Sequence, residues 1–279
     1  MEQNQISSTL QDPNHYTLCQ AANVVDEVWE KVRHDATEIL KTEEALVSLI
    51  DEIVLNQSCL GKAIAVRLSR KLAREDMGKE VLFPLIWSIF SADPAIVRSA
   101  AADMQAIYDR DAACSSPLEP LLFFKGFAAI QTYRIAHSLW NRNRRSLALY
   151  FQSISAEVFG VDIHPAARIG CGILMDHATS VVIGETAIVE DNVSILHEVT
   201  LGGTGKTTGD RHPIIRTGVM IGAGTKVIGR VEIGAHSKIG AGSVVLSNIA
   251  AKKTAVGVPA QVVGEVVAEC PAEHMDQEI

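Results

Sequence analysis

Two short stretches in the second half of the chain carry ionisable side chains of the kinds used in acid–base chemistry. GILMDHATS, residues 172–180, contains Asp176 and His177, and GGTGKTTGDRHP, residues 202–213, contains Arg211 and His212. An unperturbed imidazole titrates near pH ~6.5, so it can accept a proton around neutral pH. A guanidinium can hold a carboxylate through two parallel hydrogen bonds. These stretches are therefore candidates for proton transfer and for carboxylate binding.

A six-residue repeat surrounds both stretches. Each repeat has an aliphatic residue, often followed by glycine, and a small or β-branched residue four positions later. Repetition of this kind is typical of a solenoid, in which stacked copies of one position form a continuous core. Six residues leave no room for the helical crossovers of an ordinary parallel sheet. The pattern therefore predicts a triangular coil of three repeats per turn, built on Ile163, Ile169, Ile183, Val189, Ile195, Leu201, Ile221, Val227, Ile233, Ile239 and Val245.

The repeat is interrupted twice, and both interruptions coincide with the ionisable side chains. Two residues are extra between Ile169 and Ile183, and we assign them to Met175 and Asp176, so that His177 opens the next coil. Between Leu201 and Ile221 the spacing is 20 positions instead of six, which predicts a protruding loop of about 14 residues. Local sequence rules are broken mainly at functional sites, so both interruptions are candidates for one.

The first half of the chain has a different pattern. From residue 23 to about 158 the apolar residues follow helical spacing, as in VVDEVWEKVRHDATEIL. Asp93 and Pro94 are typical of the N-cap and first residue of a further helix. Of the 20 glycines, 17 lie in the last 120 residues, so the two halves differ in composition as well as in spacing.

Composition limits the class of protein. The net charge of −8 without a basic block argues against a general nucleic-acid surface. The N-terminus does not have the pattern of a signal peptide, and no apolar stretch reaches membrane-spanning length. The five cysteines are scattered and odd in number, which favours free thiols in a reducing cytoplasm over a disulfide framework or a zinc site. We therefore expect a soluble cytoplasmic protein.

Several longer motifs resemble bacterial serine O-acetyltransferases, a family of the hexapeptide-repeat acyltransferase superfamily. They are VDIHPAARIG, MDHATS, GETAIVEDNVSILHEVTLGGTGK and GDRHPIIRTGVMIGAGTKVIG in the coil, with ADPAIVRSAAADMQAIYDRD and LLFFKGFAAIQTYRIAHSLW upstream. The resemblance covers roughly residues 20 to 265. It implies an α+β fold, in which an N-terminal α-helical domain is followed by a left-handed parallel β-helix with a protruding loop and a flexible C-terminal tail.

From the pattern and the resemblance together we expect four segments. These are a flexible N-terminus (1–22), a helical oligomerisation domain (23–159), a catalytic β-helix (160–263) with its loop at 203–218, and the tail (264–279). The resemblance also implies homotrimers that pair into hexamers.

The resemblance implies direct transfer of an acetyl group from acetyl-CoA to the hydroxyl of L-serine, giving O-acetyl-L-serine and CoA in cysteine biosynthesis. Acetyl-CoA would be a co-substrate, with no tightly bound cofactor and no metal. L-Cysteine would inhibit by occupying the serine pocket, and the C-terminal Ile279 would bind cysteine synthase, although the tail is shorter than in some relatives. No nucleic-acid or membrane partner is expected.

The site residues are assigned through the same resemblance. His177 matches the general base, and Asp162 matches the carboxylate that pairs with it. The positions that match serine and cysteine binding are Asp111, Asp176, Arg211 and His212. The positions that match acetyl-CoA binding are Gly203, Thr204, Ala223, Lys238 and Ala241.

Three alternatives remain, and the first two belong to other functional classes. A zinc-dependent hydratase with a similar coil needs three convergent histidines, two of them five residues apart, and the nine histidines here contain no such pair. A catalytically silent scaffold for cysteine synthase is disfavoured because Asp162, His177 and Arg211 are all present. An acetyltransferase with another hydroxyl acceptor is the nearest rival, and Asp111 favours serine over it.

Overall fold

The computed structural model describes residues 23–205 and 208–278, so the expectations for the N-terminal segment and for Ile279 lie outside the described residues. Its first part is helical. The α-helices are α1 (Val24–Ile39), α2 (Val47–Ile50), α3 (Leu60–Leu72), α4 (Lys79–Ala92), α5 (Pro94–Arg110), α6 (Leu118–Leu122), α7 (Lys125–Asn141) and α8 (Arg145–Phe159), with a 3₁₀ turn at Glu44–Leu46 and a π-helical turn at Asp51–Leu55.

Local sequence explains the ends of two of these helices. The Asp93 carboxylate accepts a hydrogen bond from the Ala95 amide at 3.2 Å, and Pro94 is the first residue of α5, as the sequence predicts. Helix α8 ends at Gly160, whose φ of 66° is left-handed and costs little in glycine. The chain turns there directly into the first strand. No single helix among residues 23–205 and 208–278 is long and apolar enough to cross a membrane.

The second part is a parallel β-helix of five turns. One sheet contains β1 (Val161–Ile163), β4 (Val181–Ile183), β7 (Thr200–Gly202), β10 (Lys226–Ile228) and β13 (Val244–Val245). The second contains β2 (Arg168–Ile169), β5 (Ile188–Val189), β8 (Ile214–Ile215) and β11 (Glu232–Ile233). The third contains β3 (Leu174–Met175), β6 (Ser194–Ile195), β9 (Met220–Ile221), β12 (Lys238–Ile239), β14 (Lys253–Gly257) and the antiparallel β15 (Ala260–Glu265).

The predicted aliphatic ladder forms the core of this coil. In the first sheet Ile163, Ile183, Leu201, Val227 and Val245 are consecutive register partners, and each is at most 3% exposed. Stacking buries each aliphatic side chain against the turns above and below, which is how a solenoid obtains its stability. The prediction of a helical part followed by a parallel β-helix is confirmed.

The structure corrects where the two interruptions lie. Met175 pairs in register with Ile195 and is buried, so it belongs to the ladder and is not an extra residue. The extra residues lie in the turn 176–180, which contains Asp176 and His177. The protruding loop is also shorter than the expected 203–218: it spans 203–213, because Ile215 rejoins the ladder between Val189 and Ile233.

The C-terminal segment, which we expected to be a flexible tail, is packed against the coil in this structure. After β15 a short helix, α9 (Pro271–His274), packs with Cys270 and Ala272 buried. The carbonyl of Ala272 accepts a hydrogen bond from the Ser194 hydroxyl at 2.8 Å. The hexad pattern ends before this segment, but the segment is bound to the outside of the coil.

Cysteine usage also differs in part from the prediction. Cys59, Cys114 and Cys270 are free thiols, and burial raises the pKa of Cys114 and of Cys270 to about 11. Cys171 is disulfide-bonded, so the expectation of free thiols is wrong at that position.

A buried charge network ties the helices to the first turn of the coil. Asp103 on α5 is fully buried, and its carboxylate accepts hydrogen bonds from Arg134 Nη2 at 2.7 Å and Gln131 Nε2 at 2.9 Å. Its other oxygen accepts from the Ile173 amide at 2.9 Å. Arg134 also donates to the Gly170 carbonyl at 2.9 Å. Because both charges are paired and hydrogen-bonded, the helical part has a fixed position on the coil just before β3.

Candidate active site

The sequence-assigned residues lie mostly on two edges of the triangular coil. The turns from the third sheet to the first, residues 176–180, 196–199, 222–225 and 240–243, form what we call the His177 edge. The turns from the first sheet to the second, residues 164–167, 184–187, 203–213 and 229–231, form the Arg211 edge. Within one chain these two edges are separated by the face of the first sheet.

A pocket of about 390 Å³ opens beside the His177 edge. Its lining includes Asp111 from the end of α5, together with Asp176 and His177 from the coil. Helix α7 begins close to β3: a Cβ on Gly126 would lie 2.0 Å from the Met175 carbonyl oxygen, so only glycine allows this approach. The structure thus brings together three of the predicted residues from both halves of the chain.

His177 projects freely into this region. Its backbone φ is 52°, and its side chain is 75% exposed. The Nε2 atom lies 3.8 Å from Asp176 Oδ2, and the ring centroid lies 5.8 Å from that of His197 in an edge-to-face arrangement. The imidazole is therefore accessible to a substrate hydroxyl and lies next to a carboxylate.

The predicted partner of His177 is held elsewhere in the chain. Asp162 lies on the outer face of β1, opposite Val182 in the next turn. Its Oδ1 accepts a hydrogen bond from Gln152 Nε2 on α8 at 2.7 Å. Across residues 23–205 and 208–278 no hydrogen bond or ion pair joins Asp162 to His177, so a single chain does not form this pair.

Arg211 is preorganised by its own ion pair on the other edge. Its Nη2 donates to Glu185 Oε2 at 2.6 Å, and its backbone amide donates to the Thr186 hydroxyl at 2.9 Å. The guanidinium lowers the pKa of Glu185, chiefly through this hydrogen bond. The guanidinium therefore stays on the coil surface with a fixed direction, although the loop that carries it protrudes.

His212 is buried next to Arg211. Its residue is 7% exposed, and its Nδ1 accepts a hydrogen bond from the Thr186 amide at 3.2 Å. Burial lowers the pKa of His212, and the nearby Arg211 lowers it further. A Cβ on Gly184 would lie 2.0 Å from the imidazole, so glycine is required beneath the ring. Since Nδ1 accepts, the neutral ring carries its proton on Nε2.

The positions expected to bind acetyl-CoA are divided between the edges. Gly203 and Thr204 lie on the Arg211 edge, and Ala223 and Ala241 lie on the His177 edge. Lys238 is placed differently from the expectation: it lies in β12, on a sheet face, with its ammonium 3.3 Å from the Asp276 carbonyl and also bonded to the Glu278 carbonyl. The C-terminal segment thus covers Lys238 in this structure.

Several neighbours of these residues were not found from the sequence. Lys125 and Glu119 line the pocket beside Asp111, and Lys125 donates to the Thr179 hydroxyl. Gln152 and Asp103 lie in helices at ordinary helical spacing, so no pattern marks them. Among the residues that the structure describes, no group of three histidine, cysteine or acidic side chains is arranged to hold a metal ion.

Comparison with known proteins decides the family. The family described as "Serine acetyltransferase, N-terminal" matches residues 28–132, and "Bacterial transferase hexapeptide (six repeats)" matches residues 212–247. A serine acetyltransferase of Salmonella typhimurium is 49% identical over 250 residues, which cover 90% of this chain and 92% of that protein. The chain belongs to the serine acetyltransferase family. It is accordingly an acyltransferase.

Solved structures agree with this membership of the serine acetyltransferase family. A serine acetyltransferase in complex with cysteine has a TM-score of 0.89 and 49% identity, with 91% of this chain and 98% of that chain covered. A serine acetyltransferase from Brucella abortus in complex with coenzyme A has a TM-score of 0.85 and 46% identity, with coverages of 88% and 98%. The whole architecture, including the helical part, is therefore shared with the family.

Proposed function

We propose that this serine acetyltransferase moves the acetyl group of acetyl-CoA directly to the L-serine hydroxyl, with His177 as the general base. The observation that carries the proposal is the pocket in which His177 and Asp176 from the coil meet Asp111 from α5. Two carboxylates beside an exposed imidazole fit an ammonium next to a hydroxyl, which is the arrangement in serine. The coenzyme A complex of a relative supports acetyl-CoA as the co-substrate.

The chemistry needs one proton acceptor and no covalent enzyme intermediate. The imidazole of His177 takes the hydroxyl proton while the serine oxygen attacks the thioester carbonyl carbon. The carbon–sulfur bond then breaks, and the imidazolium returns the proton to the CoA sulfur, so that protons balance. General-base assistance of this kind is typically worth about 10²–10⁴-fold. A carboxylate partner such as Asp162 orients the ring and stabilises the imidazolium.

The complete site requires a second copy of the chain. Arg211 and His212, which match the substrate-carboxylate residues, lie on the edge of the coil across the first sheet from His177. In a ring of three coils the His177 edge of one chain can face the Arg211 edge of its neighbour, because heterologous contacts close into rings. This arrangement supports the homotrimer, and also allows Asp162 and His177 to meet between chains. Pairing of trimers into a hexamer is part of the same proposal.

L-Cysteine is proposed as the feedback inhibitor in the serine pocket. It offers the same ammonium and carboxylate as serine, so Asp111, Asp176 and Arg211 would bind it in the same way. The cysteine complex of a relative supports this proposal. Binding of cysteine synthase through Ile279 is proposed from the resemblance alone, since that residue lies outside the described part of the chain.

The function is tested by measuring thiol release from acetyl-CoA with L-serine against a panel of other hydroxyl compounds. We expect L-serine to give the highest kcat/KM, and His177→Ala to lower kcat by about 10²–10⁴-fold with the oligomer intact. The exposed His34→Ala on α1 is the matched control and should keep wild-type turnover. A better acceptor than serine would disprove the substrate assignment, and a fully active His177→Ala would disprove the base.

A further inference from the structure

One hydrogen bond connects the helical part to the carboxylate that is assigned to His177. Gln152 lies on α8, and its side-chain amide donates to Asp162 Oδ1 at 2.7 Å. Both side chains are half-buried. The helix reaches the coil through Gly160, so α8 packs back against β1 and brings Gln152 to Asp162, ten positions further along the chain.

Gln152 holds one oxygen of the Asp162 carboxylate through a hydrogen bond. The backbone of Asp162 is fixed, because β1 pairs in register with β4. In the described part of the chain, Gln152 supplies the hydrogen bond that the structure records for this carboxylate, and that bond occupies Oδ1 alone. The second oxygen, Oδ2, is thereby left for another partner. Holding one oxygen and leaving the other is the arrangement that an orienting carboxylate needs.

The chemistry of the amide also suits this role. An arginine or lysine at the same place would bring a positive charge to Asp162 and would oppose the stabilisation of a nearby imidazolium. A glutamine donates a hydrogen bond without adding charge, so the carboxylate keeps its full electrostatic effect. Orientation and charge are therefore supplied by different residues.

We propose that Gln152 is a positioning residue for the acetyl transfer: it fixes the Asp162 carboxylate so that Oδ2 meets the His177 imidazole in the assembled enzyme. This inference depends on the proposed function of Asp162 and His177. It makes the helical part a contributor to the chemical step through α8, separately from the contribution of Asp111 to substrate binding.

The test separates hydrogen bonding from packing. Gln152→Met keeps the length and volume of the side chain but removes the donor, and Gln152→Ala removes both. Gln105→Met is the matched control, because Gln105 Nε2 makes the same kind of bond to Asp109 at 2.8 Å on α5, and neither residue lines the pocket. Steady-state kinetics of the full-length oligomer are measured for serine and for acetyl-CoA, together with thermal unfolding.

We expect Gln152→Met and Gln152→Ala to lower kcat by about tenfold or more, as is typical when a hydrogen bond to a charged group is removed. The serine KM should stay within about twofold, because an interaction needed only in the chemical step changes kcat and not uniform binding. Gln105→Met should be unchanged. If Gln152→Met restores the wild-type kcat that Gln152→Ala loses, the role is packing and the inference is wrong.

Asp162→Asn distinguishes a failure of this inference from a failure of the proposed function. If Asp162→Asn retains wild-type turnover, the assignment of Asp162 itself is wrong. If Asp162→Asn is impaired and Gln152→Met is not, only the positioning role is wrong. If Asp162→Asn and Gln152→Met each lower kcat, the double variant should lose no more activity than Asp162→Asn alone, since the effects of coupled residues are not additive.

Discussion

Arg211 is held in place by Glu185 before any substrate binds. Its removal should therefore weaken the binding of serine. The ion pair at 2.6 Å fixes the direction of the guanidinium, and the hydrogen bond from the Arg211 amide to the Thr186 hydroxyl holds the backbone. We expect Arg211→Ala to raise the serine KM by roughly 10- to 100-fold, the range for a lost hydrogen bond to a charged group, while the acetyl-CoA KM changes little. Initial-rate kinetics with each substrate varied in turn measure both constants.

Arg216 offers a control of the same chemistry at another place. It forms ion pairs with Glu190 at 2.6 Å and Glu232 at 2.9 Å, and it lies at neither of the two edges that carry the site. Arg216→Ala should leave both Michaelis constants unchanged. If Arg211→Ala changes only the acetyl-CoA KM, the loop binds acetyl-CoA and our assignment of Arg211 to serine is wrong.

Individual residues were predictable from sequence only where they break a pattern or match a motif. Asp176 and His177 lie where the spacing of the ladder residues Met175 and Ile183 is eight positions instead of six. Arg211 and His212 lie in the inserted loop. Gln152 and Asp103 occupy ordinary helical positions, and their importance depends on contacts to coil residues that follow them by 10 and 70 positions. Contacts between a helix and the coil cannot be read from the spacing within either element.

At the scale of elements, the aliphatic ladder was predicted well because burial repeats every six residues. The errors concern residues that we assigned to the interruptions but that belong to the ladder. Met175 fills a ladder position like an aliphatic residue, and Ile215 resumes the ladder within the expected loop. The packing of the C-terminal segment was not predicted for another reason. Its helix α9 has no repeat and is held by contacts to the coil, such as the bond from Ser194 to the Ala272 carbonyl.

The buried network around Asp103 is the element-scale contact that we expect to matter most for stability. It joins α5, α7 and the start of β3 through one carboxylate. Asp103→Ala would leave the buried Arg134 without its partner, which typically costs about 3–5 kcal/mol in the free energy of unfolding. Urea unfolding followed by circular dichroism measures the loss.

A second variant tests whether the cost comes from the orphaned charge. Asp103→Ala combined with Arg134→Met removes both charges, and it should recover part of the lost stability. Asp109→Ala, an exposed acid on the same helix, should change the free energy of unfolding by no more than about 0.5 kcal/mol. If the double variant is less stable than Asp103→Ala alone, removing the charge of Arg134 does not recover stability. The cost of Asp103→Ala would then come from the lost contacts of the pair and not from the unpaired charge.

At the scale of the whole molecule, the site is divided between two edges that one chain cannot bring together. His177 and its pocket lie on one edge, and Arg211 and His212 lie on the other, beyond the face of the first sheet. If each site combines the His177 edge of one chain with the Arg211 edge of the next, then two defective chains can repair each other. A site contained within one chain has no such property.

Mixing His177→Ala with Arg211→Ala therefore tests the assembly directly. The two variants are unfolded and refolded together in equal amounts, and the mixture is assayed at low serine, where each variant alone is nearly inactive. A site is intact when a chain with Arg211→Ala supplies the His177 edge and a chain with His177→Ala supplies the Arg211 edge. Random assembly of such rings should restore roughly a quarter of the wild-type sites. Activity equal to the average of the two separately refolded variants would place the whole site within one chain and refute the shared arrangement.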